Sequence, residues 1–176
     1  MLFSDRSLWT MLHGLVLSGG SLALLVTALF SLRAMAAPEG AIVPARQATA
    51  FTWLLIAAAA LLWMAVIGGV YIVFPMYRAT PPEGVASFAA YPRALLMSNP
   101  DTHWLHSFAM EIKEHMPWIA AMVVTAAAFV ARRHRETLLS DASLRRVTGA
   151  LLMTAVLLVS FVALLGVFVN KVAPLW

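Results

Sequence analysis

Ionisable side chains crowd one stretch of an otherwise apolar chain. The run from His103 to Trp118 reads HWLHSFAMEIKEHMPW and carries His103, His106, Glu111, Lys113, Glu114 and His115. A charge-bearing residue near a bilayer core costs roughly 2.5–3.5 kcal/mol on insertion scales. Such residues persist where they meet a partner, a cofactor or an aqueous path. Imidazoles ligate metals and carry protons, and a neighbouring carboxylate can fix the imidazole tautomer. The chemistry of this chain is expected here, at the head of its third apolar segment.

The elements that position these residues follow from the charge pattern. Only 11% of the 176 residues are charged and 62% are hydrophobic, whereas a soluble domain carries about 25% charge. Ser7–Leu32, Phe51–Tyr77, Met116–Ala131 and Val147–Asn170 contain no Asp, Glu, Lys or Arg. A spanning helix needs about 20 apolar residues. Three runs are long enough, and the third becomes so if its helix starts in the polar run before it. The pattern predicts an all-α bundle of four transmembrane helices over about 7–33, 51–74, 103–133 and 147–170. Residues 1–176 form one integral membrane domain in this reading, with the lipid bilayer as the first partner.

Helix breakers mark the connections. Pro38, Gly40 and Pro44 interrupt 34–49, and Pro75 stops the second helix. Pro81, Pro82, Gly84, Pro92 and Pro100 divide 76–102. Within it, Ala86–Met97 is apolar enough to lie on the membrane surface, with Tyr91 and Arg93 at the headgroups. Asp101 or Thr102 can cap the third helix, and Pro117 can kink it.

Several functions are excluded. Cysteine is absent, so disulfides, thiolate metal sites, iron–sulfur ligation and CxxCH haem attachment are ruled out. No nucleophile–base triad, phosphate loop or HExxH zinc signature is present. The basic residues sit at helix ends, which marks membrane orientation and not nucleic-acid binding. Ala34-Met35-Ala36 looks like a cleavage site, but the apolar stretch before it exceeds a signal-peptide core. The first helix is therefore expected to stay in the protein.

Orientation follows from the arginines. Arg33, Arg46, Arg132, Arg133, Arg135, Arg145 and Arg146 fall on one side, against Arg6, Arg78, Arg93, Lys113 and Lys171 on the other. The positive-inside rule places the 132–146 loop in the cytoplasm and both termini outside. Trp9, Tyr71, Tyr77, Trp104, Trp118 and Trp176 then approach the outer interface, as an aromatic belt does.

Four of the five histidines, His13, His103, His106 and His115, belong to that outer side. His134, among arginines, is a solvated loop residue. About 20 helical residues cross a core of about 30 Å. Counting back from Arg33 reaches His13, and counting back from Arg132 reaches Ile112, about one turn from His115. His106 lies about 13 Å above His115 on a straight helix. Two imidazoles at one level on different helices match axial haem ligation, which needs nitrogen donors on both sides of a plane and an apolar slot. Gly14, Ser18, Gly19, Gly20, Gly68, Gly69 and Gly166 offer close backbone approach, and Arg78, Arg93 and Lys171 offer charge for propionates. Tight helix packing is the plainer explanation of the same small residues unless a haem is shown.

With the His13 and His115 pair, the chain resembles small four-helix transmembrane b-type cytochromes of the cytochrome b561 class. The resemblance implies haem b, an inner-membrane location in bacteria, and electron exchange with quinol or a periplasmic cytochrome inside a larger complex. The chain departs from that class in lacking a second histidine pair at the cytoplasmic side. A chain this small, with short cytoplasmic loops, has little room for an independent enzyme and is expected to be an electron-transfer or accessory subunit.

Other readings compete. Glu111 lies one turn before His115 and can accept its proton, or Glu114 or Glu111 can anchor the helix through a salt bridge to Lys113 or Arg93. Lys113 and His106 share a helix face. His103, His106 and Met110, with Met97 or Met116, could bind copper, although methionine in apolar runs is mostly core filler. Alternatively, the outer histidines are hydrogen-bonding interfacial residues, and the chain is a cofactor-free accessory subunit that docks a partner.

Overall fold

A computed structural model describes residues 4–36 and 44–174. Pro38, Gly40 and Trp176 lie outside the described residues. The described chain is helical, with no strand. Among the described residues, four helices are long and apolar enough to cross a membrane: α1 (Asp5–Ala34), α2 (Ala45–Tyr77), α4 (Pro100–Arg133) and α6 (Ala142–Val172). Two short helices join them, α3 (Pro92–Met97) and α5 (Arg135–Ser140).

The observed helices outrun the predicted ones for local reasons. Ala45 follows Pro44, whose extended backbone launches α2. Asn99, and not Asp101 or Thr102, caps α4 by accepting from the Asp101 amide at 2.9 Å. Asp141 caps α6 through the Ser143 and Leu144 amides at 2.7 and 3.2 Å. Each cap satisfies N–H groups that a helix start leaves bare.

Pro75 does not stop α2 as predicted. The helix passes through it because Gly69–Val73, just before, is π-helical. A wider turn has already broken the i→i−4 ladder, so the missing proline N–H costs little there. Pro117 is likewise carried inside the α-helical stretch Glu111–Arg133.

The four long helices form a ring in chain order. α2 packs on α1 and α4, and α6 packs on α4 and closes the ring on α1. α1 and α4 therefore face each other across a diagonal. Alanine sets the spacing: Ala58 and Ala59 of α2 and Ala120, Ala121, Ala127, Ala128 and Ala131 of α4 are buried. Small side chains let helix backbones approach closely where lipid gives no hydrophobic drive. Phe51, Leu25, Leu55 and Leu152 fill the remaining space and are fully buried.

This core occupies the half of the bundle nearer α5. A second, smaller cluster sits at the other end and joins Tyr77, Leu96, Leu105, Ala109, Met110, Leu165 and Val169. The outward faces carry large apolar side chains, with Leu15 69% and Phe129 66% exposed. Such surfaces suit lipid and not water. The chain has the build of an integral membrane protein.

Candidate functional site

The polar residues of interest gather between the two apolar clusters. On α2 this level lies between Val66 and Tyr77, and on α4 between Ala120 and Met110. Three of the long helices depart from α geometry close to it. Leu12–Gly19 of α1, Gly69–Val73 of α2 and Leu105–Met110 of α4 are π-helical. A π-turn inserts a residue, widens the helix and re-aims side chains, and such turns recur at functional sites. In α1 the widened turn is held by the Ser18 hydroxyl, which donates to the His13 carbonyl at 2.9 Å.

His13 is the first residue this geometry aims. Its half-buried ring turns toward α2. A Cβ built on Gly69 would stand 2.9 Å from His13 Cε1, so only glycine leaves room for the imidazole. Its Nδ1 is buried with no hydrogen-bond partner among the described residues.

Lys113 comes in from the diagonal helix. It is partly buried and turned inward from α4. A Cβ on Gly166 of α6 would lie 3.0 Å from its Nζ. The ammonium acts electrostatically on the His13 ring. The predicted salt bridge to Glu111 or Glu114 does not form among the described residues. The glutamates beside it in sequence make Lys113 read as an interfacial anchor. The signal available was its spacing from Ala109, Met116 and Ala120, which lie at i−4, i+3 and i+7 and share one helical face.

His115 does not join them. It is exposed, and two residues along a helix is a rotation of about 200° from Lys113. His115 thus faces away from the side of α4 that carries Lys113, while the His13 ring packs on Gly69 of α2, so the matched depth does not bring the two imidazoles together. His115 Nδ1 bonds the Glu111 main-chain carbonyl at 2.7 Å. The expected partner was the Glu111 carboxylate; the backbone supplies the acceptor instead, and the exposed carboxylate is left to the surroundings.

A second polar group closes the end of the bundle. Tyr77 was expected in an interfacial belt but is buried, and its hydroxyl meets His106 Nδ1 at 2.8 Å. Arg78 and Arg93 both act on this pair electrostatically. The Arg78 guanidinium lies 5.2 Å from the Phe74 ring centroid, and Arg93 Nε is buried without a partner among the described residues. Lys171 is exposed at the end of α6 and is not among the charges acting on the pair. Arg6 ties the cap together, donating to the Ala90 carbonyl at 3.2 Å and the Pro174 carbonyl at 2.7 Å.

The copper set is dispersed. His106 is engaged by Tyr77, His103 is exposed, and Met110 is packed in the smaller apolar cluster. Among the described residues no three His, Asp or Glu side chains converge as a metal group.

For a haem the donor chemistry divides. His13 fits, by its orphaned nitrogen and glycine-backed ring. His115 does not face the same space. No protein-family model, curated protein or solved structure matches the chain.

Proposed function

We propose that this chain is an electron-transfer subunit of a bacterial inner membrane that holds one haem b near the outer face, with His13 as an axial ligand. The observation that carries the proposal is the buried, unpartnered Nδ1 of His13, in a ring that Gly69 alone leaves room for. An unsatisfied polar atom in an apolar bundle costs free energy unless something binds it. A haem supplies one-electron transfer when bound. The chain's own residues orient the imidazole, exclude water with the two apolar clusters, and bring Arg78 and Arg93 to the outer end, where propionates would lie.

On this reading the chain is a one-haem counterpart of the small four-helix b-type cytochromes of the cytochrome b561 class that its sequence resembles. In this arrangement the 132–146 loop faces the cytoplasm and both termini face the periplasm, because the arginines cluster in that loop. The electron partner is quinol or a periplasmic cytochrome, met within a larger complex.

One observation favours a second reading, an accessory subunit that docks a partner. Glu111 and His115 are exposed on the outward face of a membrane-crossing helix. Polar side chains there are costly against lipid and are relieved by a neighbouring protein.

Purifying the chain from a haem-producing host tests the first reading. The expected result is a reduced b-type spectrum that disappears in His13→Ala and persists in His134→Ala. A haem-free wild-type chain, or a His13→Ala variant with unchanged spectrum, would sink it and leave the accessory reading.

A further inference from the structure

We propose that the corner between α4 and α5 binds an anionic phospholipid, with Arg132 and Arg133 on its phosphate and Phe129 against its acyl chain. This site is independent of the haem and lies at the opposite end of the bundle.

The local backbone builds the corner. α4 ends at Arg133, His134 leaves helical geometry at φ −117° and ψ 34°, and α5 starts at Arg135. Two open hollows meet at this turn and share Arg132 and Arg133. One, of about 320 Å³, is lined by Phe129, Arg132 and Arg133. The other, of about 270 Å³, is lined by residues 132–137. Phe129 lies one helical turn before the arginine pair, about 5 Å nearer the middle of the bundle, and between the two in angle. Its ring is 66% exposed on a membrane-crossing helix. The first hollow is thus basic at the helix end and apolar one turn deeper. A phospholipid has the same order, with its phosphate at the surface and its acyl chains beneath. The second hollow is polar and offers the His134 ring and the Thr137 hydroxyl to the rest of a headgroup.

The neighbouring charges leave the arginine pair free. Arg145 donates to the Leu138 and Leu139 carbonyls, both at 2.9 Å, and so fixes α5. Arg135 leans toward Thr49 Oγ1 at 3.4 Å. The Asp141 carboxylate is held by the first amides of α6. Arg132 and Arg133 make no hydrogen bond or ion pair among the described residues. Glu136 is the one carboxylate lining the hollows, against Arg132, Arg133 and Arg135. The surplus is positive, which a zwitterionic headgroup does not neutralise and an anionic one does.

A guanidinium meets phosphate oxygens through two parallel N–H bonds. Basic pockets at the ends of membrane helices hold acidic headgroups in this way. Membrane orientation alone needs only charge on a loop. Here the unpaired guanidiniums flank a lipid-facing aromatic ring. A free phosphate would use the polar hollow and gain nothing from Phe129, so the apolar hollow favours lipid.

The test uses the full chain in detergent. Its thermal unfolding is followed with added dioleoyl phosphatidylglycerol, dioleoyl phosphatidylcholine or inorganic phosphate, and lipid affinity is read by native mass spectrometry. Phosphatidylglycerol is expected to raise the unfolding midpoint by several degrees, and the other two to leave it in place. The double variant Arg132→Gln/Arg133→Gln is expected to weaken phosphatidylglycerol at least tenfold, and Phe129→Ala several-fold. Arg33→Gln/Arg46→Gln removes the same charge from the same end of the bundle and is expected to cost less than twofold. Equal stabilisation by phosphatidylcholine overturns the proposal, and equal stabilisation by inorganic phosphate gives the site to a free anion instead. Equal losses in the two double variants reduce the effect to general surface charge, and an unchanged affinity in Phe129→Ala removes the acyl contact; either overturns it. Should a variant fail to accumulate, a photoactivatable phosphatidylglycerol on the wild-type chain decides. Adducts within residues 129–137 are expected, and adducts confined to other segments overturn the site.

Discussion

Two adjacent glycines on α2 have opposite environments. A Cβ at Gly69 would strike the His13 ring, whereas a Cβ at Gly68 meets nothing within 4 Å. Gly69→Ala should therefore displace the imidazole and lower bound haem several-fold. Its overpacking cost should be about 1–3 kcal/mol. Gly68→Ala should leave both stability and haem near the parental level. The haem-to-protein ratio and thermal unfolding in detergent measure the contrast, and equal behaviour of the two variants would break the link between Gly69 and His13. The residue types of this site were legible in the sequence, since ionisable groups stand out in an apolar chain. Their directions were not. His13 and His115 were paired by depth, which counts residues along each axis and ignores rotation about it. Lys113 was assigned to the interface because two glutamates surround it, yet its helical face continues to Ala120 and the core.

At the scale of elements, the three π-turns matter most. None was foreseen, because a π-turn has no hydrophobic period of its own and adds a single residue to an otherwise regular run. It also shifts every side chain beyond it, so a face counted from one helix end is wrong past the bulge. The α1 turn is held by Ser18, whose hydroxyl bonds the His13 carbonyl. Ser18→Ala should remove that bond at a cost of about 1 kcal/mol and broaden the haem spectrum as the His13 ring loses its fixed aim. An unchanged melting temperature and spectrum would show that the backbone holds the π-turn unaided. The caps were only partly legible. Asp141 and Asn99 are ordinary capping types, but the sequence offered Asp101 and Thr102 as equal candidates for α4. Asp141→Ala should lower stability by about 1 kcal/mol, read from thermal unfolding, without touching the site at the far end of the bundle. A loss of haem in that variant would mean that the two ends are coupled.

At the scale of the whole molecule, the four-helix class was legible because uncharged runs of spanning length are hard to mistake. The ring order and the diagonal pairing of α1 with α4 were not, since apolar composition does not say which helices touch. The proposed topology puts the 132–146 loop inside. A chain with no native cysteine allows a direct check. A cysteine at Ser140 should label from the cytoplasm, and labelling from the periplasm would invert the arrangement and move the site to the inner face. The account as a whole stands on a haem carried by His13. The most direct measurement is the haem content of the purified chain, taken as its pyridine haemochromogen spectrum, for wild type and His13→Ala side by side. The account predicts one haem b per wild-type chain and a near-complete loss in the variant at equal protein yield. A wild-type chain that is folded, membrane-inserted and free of haem would contradict it.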